Sequence, residues 1–429
     1  MQVHLKTLGC RLNEAELETW AQEFQKAGHS ITLEQDRANL IVINSCAVTQ
    51  GAVRKSRQLI RRIHRNNPEA KLIVSGCYVT LNPDEAAEML GVDLVISNKD
   101  KDKLVPLSLS TINSVDMPAM STEPSEFSLF KRGRQRAFIK VQDGCRYKCT
   151  FCIVTVARGQ ESSRPVAAII EEINNLHGEG IQEVILTGVH LGGYGSDINS
   201  HLSALITQIL EQTRIPRVRL GSLEPWDLPA DFFTLFKNTR LMPHLHLPLQ
   251  SGCNTVLQRM ARRCKTEEFA QIITRAREQI EHFNISTDII VGFPGETEHE
   301  WQQSYQFIKS MGFAHIHIFS YSPRNGTHAA KLPHAVPTSI KKERSQALHQ
   351  LAKEMKQKNY QQHLGKTFPV LWESQHQLTE QGTVQVSGYT PNYLRVTTEI
   401  EPFTTIENKI INCHLGRAQD DHITVTLTH

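Results

Sequence analysis

Residues 137–152 read AFIKVQDGCRYKCTFC: a short apolar strand, a polar turn, then Cys145, Cys149 and Cys152 in a C-x3-C-x2-C pattern. Three thiolates this close can ligate three irons of a 4Fe-4S cluster and leave the fourth iron open to another molecule. A zinc site would ask for a fourth cysteine or histidine nearby, and none follows at ligand spacing. The strand before this loop is the first of six. EVILT (183–187), RVRLG (217–221), HLHLP (244–248), STDIIVG (286–292) and HIHIFS (315–320) follow it, separated by amphipathic stretches such as VAAIIEEINNLHGEG and TEEFAQIITRAREQIEHFN. Six βα units in succession predict a partial (βα)6 barrel of the TIM type, with its chemistry at the C-terminal ends of the strands.

Outward from that barrel the pattern changes on both sides. Residues 1–105 alternate apolar runs (VHLKTLG, NLIVINS, KLIVSG, DLVIS) with amphipathic stretches (EAELETWAQEFQKAG, VRKSRQLIRRIHRNN), which predicts a separate parallel α/β sheet domain. Residues 106–130 lose that alternation, gather Ser, Thr, Pro and Met, and read as a linker. The barrel domain runs over 131–363 and closes on a long helix beginning TSIKKERSQALHQ. Residues 364–429 hold five short β-branched runs, predicting a small β-barrel of the oligonucleotide-binding kind.

Cys10, Cys46 and Cys77 each end an apolar run of the first domain. Strand ends in a parallel sheet share one edge, so these three cysteines, tens of residues apart, can meet as a second three-thiolate site. Cys253, Cys264 and Cys413 have no partner at ligand spacing and read as ordinary thiols.

The 429 residues are 39% hydrophobic and 21% charged, as in a soluble globular protein. Nothing at the N-terminus resembles a signal peptide and no apolar run reaches membrane-spanning length, so a cytoplasmic address and no membrane partner are expected. In that compartment nine cysteines, an odd number, read as ligands or catalysts rather than disulfides. The net charge of +3 is no bulk signal for nucleic acid. Local clusters say more: Arg54, Arg57, Arg61 and Arg65 share one helical face, and Lys131, Arg132, Arg134, Arg136 and Lys140 form a second group able to meet phosphates. The small C-terminal domain has more acidic than basic residues, so RNA contact there must lean on shape and stacking.

The cysteine spacing after the first barrel strand resembles the radical S-adenosylmethionine (SAM) superfamily. That resemblance implies that the open iron chelates SAM and that one-electron reduction cleaves it to methionine and a 5′-deoxyadenosyl radical. On the same resemblance Gly188 in EVILTGVHLGG, Ser222 and Glu224 in RLGSLEP, Gln250 in HLPLQSGC, and Gly292 and Phe293 in TDIIVGFPGET are the candidate SAM contacts. Over the whole chain, the order of three-cysteine α/β domain, radical SAM barrel and small C-terminal β domain is similar to the methylthiotransferase family, whose C-terminal module is the RNA-binding TRAM domain. TLGCRLNEAE, INSCAVTQGAVRKSRQ, QDGCRYKCTFC and ARGQESSRP look most like the branch acting on N6-threonylcarbamoyladenosine at tRNA position 37. Other branches act on isopentenyladenosine in tRNA or on an aspartate of a ribosomal protein.

The resemblance implies two 4Fe-4S clusters, one on Cys145, Cys149 and Cys152 for radical generation and an auxiliary one on Cys10, Cys46 and Cys77 that carries sulfur. One SAM would serve as methyl donor and another as radical source. Implied partners are the tRNA anticodon arm, with Arg54, Arg57 and Arg61 as candidate grips, a reducing protein such as flavodoxin or ferredoxin, and a sulfur donor. Thr155 stands where the family commonly has proline, a change expected to alter a turn and not the ligation. From another class, a non-catalytic iron-sulfur RNA-binding protein also fits the motifs, but structural clusters usually have all four ligands.

Overall fold

The computed structural model describes residues 1–113, 135–379, 382–402 and 404–428. They fall into two compact units, counting in each only the described residues: Met1–Ser128, Gln142–Ser162 and Ser322–Ala330 in one, and Leu129–Val141, Ser163–Tyr321 and Lys331–His429 in the other.

The first unit is built on a parallel sheet of β1 (Gln2–Thr7), β2 (Ser30–Ile31), β3 (Leu40–Ser45), β4 (Lys71–Gly76) and β5 (Leu94–Ile96), in the spatial order β2-β1-β3-β4-β5. LIVINS and KLIVSG are apolar runs without alternation because both faces of the sheet are covered. Ile41, Ile43, Leu72 and Val74 pack with Leu59, Ile60 and Ile63 of helix α2 (Gln50–Asn66). Leu40, Val42 and Ile73 pack on the other side with Trp20, Ala21 and Phe24 of helix α1 (Arg11–Lys26). Helix α2 starts at Thr49, whose hydroxyl accepts the Ala52 N–H at 3.0 Å. The two-residue strand β2 was not foreseen, since two residues carry no periodicity. A helix over Leu104–Asn113 takes up the start of the stretch read as a linker; the remainder of that stretch, 114–130, lies outside the described residues.

The second unit contains the six expected barrel strands: β6 (Arg136–Lys140), β7 (Glu183–Thr187), β8 (Arg217–Leu220), β9 (His244–His246), β10 (Asn284–Val291) and β11 (His315–Ser320). They form two parallel three-stranded sheets, β8-β7-β6 and β9-β10-β11, joined by parallel bridges between Val218 and Leu241 and between Ser222 and His246. One face packs Val184, Leu186, Ile285, Ile289 and Ile316 against helical residues such as Ile169, Phe269, Ile273 and Ile308. By strand alternation the other face carries Lys140, Thr187, His246, Asp288 and His317.

The remaining strands, β12 (Thr367–Leu378), β13 (Val384–Tyr389), β14 (Arg395–Ile400), β15 (Ile410–Ala418) and β16 (Ile423–Leu427), close a barrel in the order β12-β13-β14-β16-β15. Only the β14–β16 pair is parallel. This is the strand order of an oligonucleotide-binding barrel, as expected. Its turn at 389–393 meets the N-terminal ends of the half-barrel strands. Arg219 donates to the Pro391 carbonyl (3.0 Å) and pairs with Glu183 (2.9 Å) beneath the ring of Tyr393. Arg219 therefore belongs to the end of the half-barrel opposite Ser222 and Glu224, beside which the sequence sets it. Cys253, Cys264 and Cys413 are buried, as ordinary core thiols should be. Among the described residues no helix is long and apolar enough to cross a membrane.

Candidate active site

Cys10, Cys46 and Cys77 follow β1, β3 and β4, three neighbouring strands, so all three leave the sheet at one edge. Thr7 pairs with Asn44 and Ser45 with Gly76, which brings the cysteines to a similar level. Cys10 is the N-cap of α1, and Cys77 opens the short helix Cys77–Leu81. The approach is close: Gly9 has φ of +115°, and a Cβ there would fall 2.6 Å from Cys46 Sγ. Only glycine lets that turn pass over the sulfur. Cys10 is exposed, yet the protein packed about its sulfur raises the thiol, and burial pushes Cys46 up to about 11, with the neighbouring thiols adding to both shifts. These sulfurs therefore hold protons that iron would have to displace. Three sulfurs on one sheet edge are a donor set that suits thiophilic iron, so the residues fit an iron-sulfur cluster.

Residues 142–162 belong to the same compact unit, which thus contains all six cysteines. Cys145, Cys149 and Cys152 sit part-exposed on an irregular loop ahead of the helix Val154–Arg158. Tyr147 N–H donates to Cys145 Sγ at 3.4 Å, the kind of hydrogen bond that tunes a cluster ligand. The Thr155 hydroxyl donates to the Tyr147 carbonyl at 3.0 Å and ties the helix to the loop.

A buried ionic network lies beside these cysteines. Arg158 donates to Glu16 (2.9 Å), Asp143 (3.1 Å) and Asn13 Oδ1 (2.8 Å), and that same Asn13 oxygen accepts from Cys10 Sγ at 3.7 Å. Lys101 pairs with Glu16 and, at 3.2 Å, with Asp143. Asn98 Nδ2 donates to the Ala157 carbonyl (2.8 Å) and to Cys77 Sγ (3.7 Å). Burial disfavours the Arg158 charge, but Glu16, then Cys77 and Asp143, hold the guanidinium ionised well above its ordinary range. Two cations and two carboxylates thus neutralise one another in a site where Arg158, Lys101 and Glu16 are buried and Asp143 is part-buried. The network joins helix α1, next to Cys10, to Asp143, two residues before Cys145. The segment Ser322–Ala330 adds a second tie: Arg324 donates to the Ala47 carbonyl and Ala329 N–H to the Thr150 carbonyl (2.8 Å). Asn13, Glu16, Asp143 and Arg158 lie inside the motifs that flank the cysteines, but nothing in the spacing pairs them with one another. The available signal was Asn13 and Glu16, polar residues at 1% and 2% exposure on a helix face shared with Leu12, Leu17 and Trp20.

In the second unit Gly188 follows β7, Ser222 and Glu224 follow β8, Gln250 follows β9, and Gly292 and Phe293 follow β10, so all six candidate SAM contacts stand at C-terminal strand ends. Gln250 has φ of +74°, and its N–H and C=O bond to Asp288 and Ile290. Glu224 is paired with Arg262 at 2.8 Å. Phe293 is fully buried against Tyr321, which leaves its backbone, not its ring, to meet a ligand. Gly292 N–H is held by the Glu296 carboxylate at 2.8 Å. Of the arginine grip, Arg54 and Arg61 are exposed, whereas Arg57 is bound to Glu85 at 2.6 Å and lies over the Tyr78 ring. Lys131, Arg132 and Arg134 lie outside the described residues. An open cavity of about 770 Å³ lined by Lys341, Lys342, Lys353 and His349 was not foreseen, because these residues are scattered along one long helix.

A C-x3-C-x2-C loop after the first strand of a six-strand parallel half-barrel defines the class: a radical SAM enzyme. Residues 139–308 match the model of the Radical SAM superfamily, and residues 2–97 match that of the Uncharacterized protein family UPF0004. The threonylcarbamoyladenosine tRNA methylthiotransferase MtaB of Bacillus subtilis is 36% identical over 92% of this chain and 89% of its own. A tRNA-2-methylthio-N(6)-dimethylallyladenosine synthase of Staphylococcus haemolyticus is 31% identical over 90% of this chain and 77% of its own. The radical SAM methyltransferase TsrM of Kitasatospora setae shares the fold, with a TM-score of 0.59 at 15% identity over 77% of each chain. This chain belongs to the methylthiotransferase family of radical SAM transferases, MtaB type.

Proposed function

We propose that this protein converts N6-threonylcarbamoyladenosine at tRNA position 37 to its 2-methylthio derivative, with one SAM as methyl donor and one as radical source. The observation that carries the reading is the presence of two three-cysteine sets in one compact unit, with MtaB-type identity over nearly the whole chain. Cys145, Cys149 and Cys152 would hold one 4Fe-4S cluster, and Cys10, Cys46 and Cys77 the auxiliary one. Bound there with SAM, these groups would supply one-electron reductive cleavage of SAM and delivery of a methylated sulfur to carbon 2 of the base.

The chain's own residues prepare that chemistry. Cys10 and Cys46 give up the protons that burial now fixes on them. Arg158 and Lys101, tied to Glu16 and Asp143, place fixed charge beside the auxiliary set, and the Tyr147 N–H steadies Cys145. Gly188, Ser222, Glu224, Gln250 and the backbone of Gly292 and Phe293 orient SAM at the strand ends. Arg54 and Arg61 meet phosphates of the anticodon arm, while Arg57 braces its helix. The C-terminal barrel acts as a TRAM-type RNA module by shape and stacking, and position 37 lies in a single-stranded loop from which a base can be splayed. The domains are 1–105, 131–363 and 364–429. The setting is cytoplasmic, with flavodoxin or ferredoxin as reductant and a separate sulfur donor.

Anaerobic reconstitution tests the reading: it requires two clusters per chain and release of 5′-deoxyadenosine with a 2-methylthio nucleoside. Cluster binding without SAM cleavage would favour a non-catalytic RNA-binding protein.

A further inference from the structure

The concave face of the half-barrel carries a polar patch that no step above uses. His246 ends β9, Asp288 lies in β10 and His317 in β11, and one ligand atom from each falls within 4.8 Å of the others. Asp288 is in register with His317, and Ser286 with both His246 and His315. The Asp288 carboxylate is the hub: its Oδ1 lies 3.2 Å from His246 Nε2 and 3.4 Å from His317 Nδ1. Ser286 Oγ holds the other nitrogen of His246 at 2.9 Å. The ring of His317 stands 5.2 Å from that of His246 and 4.7 Å from that of His315. Burial, with the charges of His317 and Lys356, holds His315 down to about 4, so it is neutral at pH 7 and offers hydrogen bonds, not charge.

The patch is open as well as ordered. The opposite face of these strands fills the core with Ile285, Ile289 and Ile316, but the His317 side chain is 45% exposed and Asp288 22%. The Asp288 carbonyl accepts the Gln250 N–H at 2.8 Å, so the patch stands level with a candidate SAM contact. A carboxylate clasped by imidazoles from both neighbouring strands is built to form hydrogen bonds.

We propose that His246, Asp288 and His317 bind the threonylcarbamoyl substituent of the target adenosine and select it over a hydrocarbon substituent. Asp288 accepts from the hydroxyl and N–H groups of the substituent and His317 donates to its carboxylate and carbonyl oxygens, while His246, held between Ser286 and Asp288, orients the Asp288 carboxylate. An isopentenyl group offers none of these atoms, so it would desolvate the patch and return nothing. Sites that hydrogen-bond a substrate reject an analogue lacking the partner far more strongly than apolar pockets reject an extra polar group. The inference rests on the threonylcarbamoyladenosine reading above.

The test uses reconstituted enzyme and anticodon stem-loops carrying threonylcarbamoyladenosine, plain adenosine or isopentenyladenosine at position 37. His317→Leu and Asp288→Asn should lower kcat/KM on the first substrate by about 10- to 100-fold. Their affinity for the plain stem-loop and their RNA-independent 5′-deoxyadenosine release should stay within about 3-fold of wild type, which also shows that the variants fold. His317→Gln, which keeps a hydrogen-bonding group, should recover part of the loss. Wild-type kcat/KM in both variants would overturn the inference, as would equal loss of affinity for all three stem-loops. Stoichiometric zinc bound by wild type and lost in His317→Leu would overturn it in favour of a metal site. If wild type itself leaves threonylcarbamoyladenosine unmodified, the parent reading falls and takes this one with it.

Discussion

Arg158→Met is the most informative single change in the first unit. The guanidinium and the Glu16 carboxylate are each 2% exposed at the side chain, and Arg158 also holds Asp143 and Asn13. Methionine fills much of the same volume, so the lost quantity is the charge. Without it, two carboxylates share Lys101, which already reaches Glu16 and, at 3.2 Å, Asp143. Removing one partner of a buried pair costs about 3–5 kcal/mol. Because Lys101 remains, the lower end, about 3 kcal/mol, applies. For a unit of this size that is a fall in Tm of about 6–12 °C, read by scanning calorimetry on the metal-free protein. Adding Glu16→Gln should recover at least half of the fall by removing the stranded charge. The shift should persist at 1 M salt, since ions screen buried pairs poorly. A fall below about 2 °C, or one that vanishes in salt, would show that the network is solvated and refute its role as a buried tie.

Cys149→Ala should abolish SAM cleavage and sulfur insertion together, whereas Cys10→Ala should leave cleavage partly intact and abolish insertion; equal loss of 5′-deoxyadenosine in both would contradict the division between the two sets. Arg54→Ala and Arg61→Ala should weaken tRNA binding several-fold in a salt-dependent manner, measured by filter binding. Arg57→Ala should instead lower Tm, because Glu85 and Tyr78 hold that side chain. Burial opposes the Glu183 charge, but Arg219, with Arg136 and Arg217, holds its pKa down to about 2. A depressed carboxylate contributes stability that is present above its unfolded value of 4.5 and lost as pH falls towards 2. Thermal unfolding of the second unit should lose stability across that window, and Glu183→Gln should flatten the loss while lowering Tm at pH 7.

The strands were legible where burial is continuous: LIVINS and KLIVSG are apolar runs because helices cover both faces, and their ends named Cys46 and Cys77. The common direction of the strands followed from the βα alternation, which is why three distant cysteines could be placed on one edge. HLHLP was read two residues too long because Leu247 and Pro248 continue the apolar run beyond the strand's end at His246. The ionic network could not be read, since Arg158 and Glu16 are 142 positions apart and only the fold makes them partners. Arg57 looked like its helical neighbours Arg54 and Arg61 because spacing shows a shared face but not Glu85 waiting beside it. His246 stands at a strand end within HLPLQSGC, but Asp288 and His317 were hidden for the same reason, coming from two other strands.

The central claim is best tested by mass spectrometry of nucleosides from tRNA incubated anaerobically with the reconstituted enzyme, SAM, a reductant and a sulfur source. The account predicts 2-methylthio-N6-threonylcarbamoyladenosine at position 37. Formation of 2-methylthio-isopentenyladenosine instead, or 5′-deoxyadenosine release with no methylthio nucleoside, would contradict it.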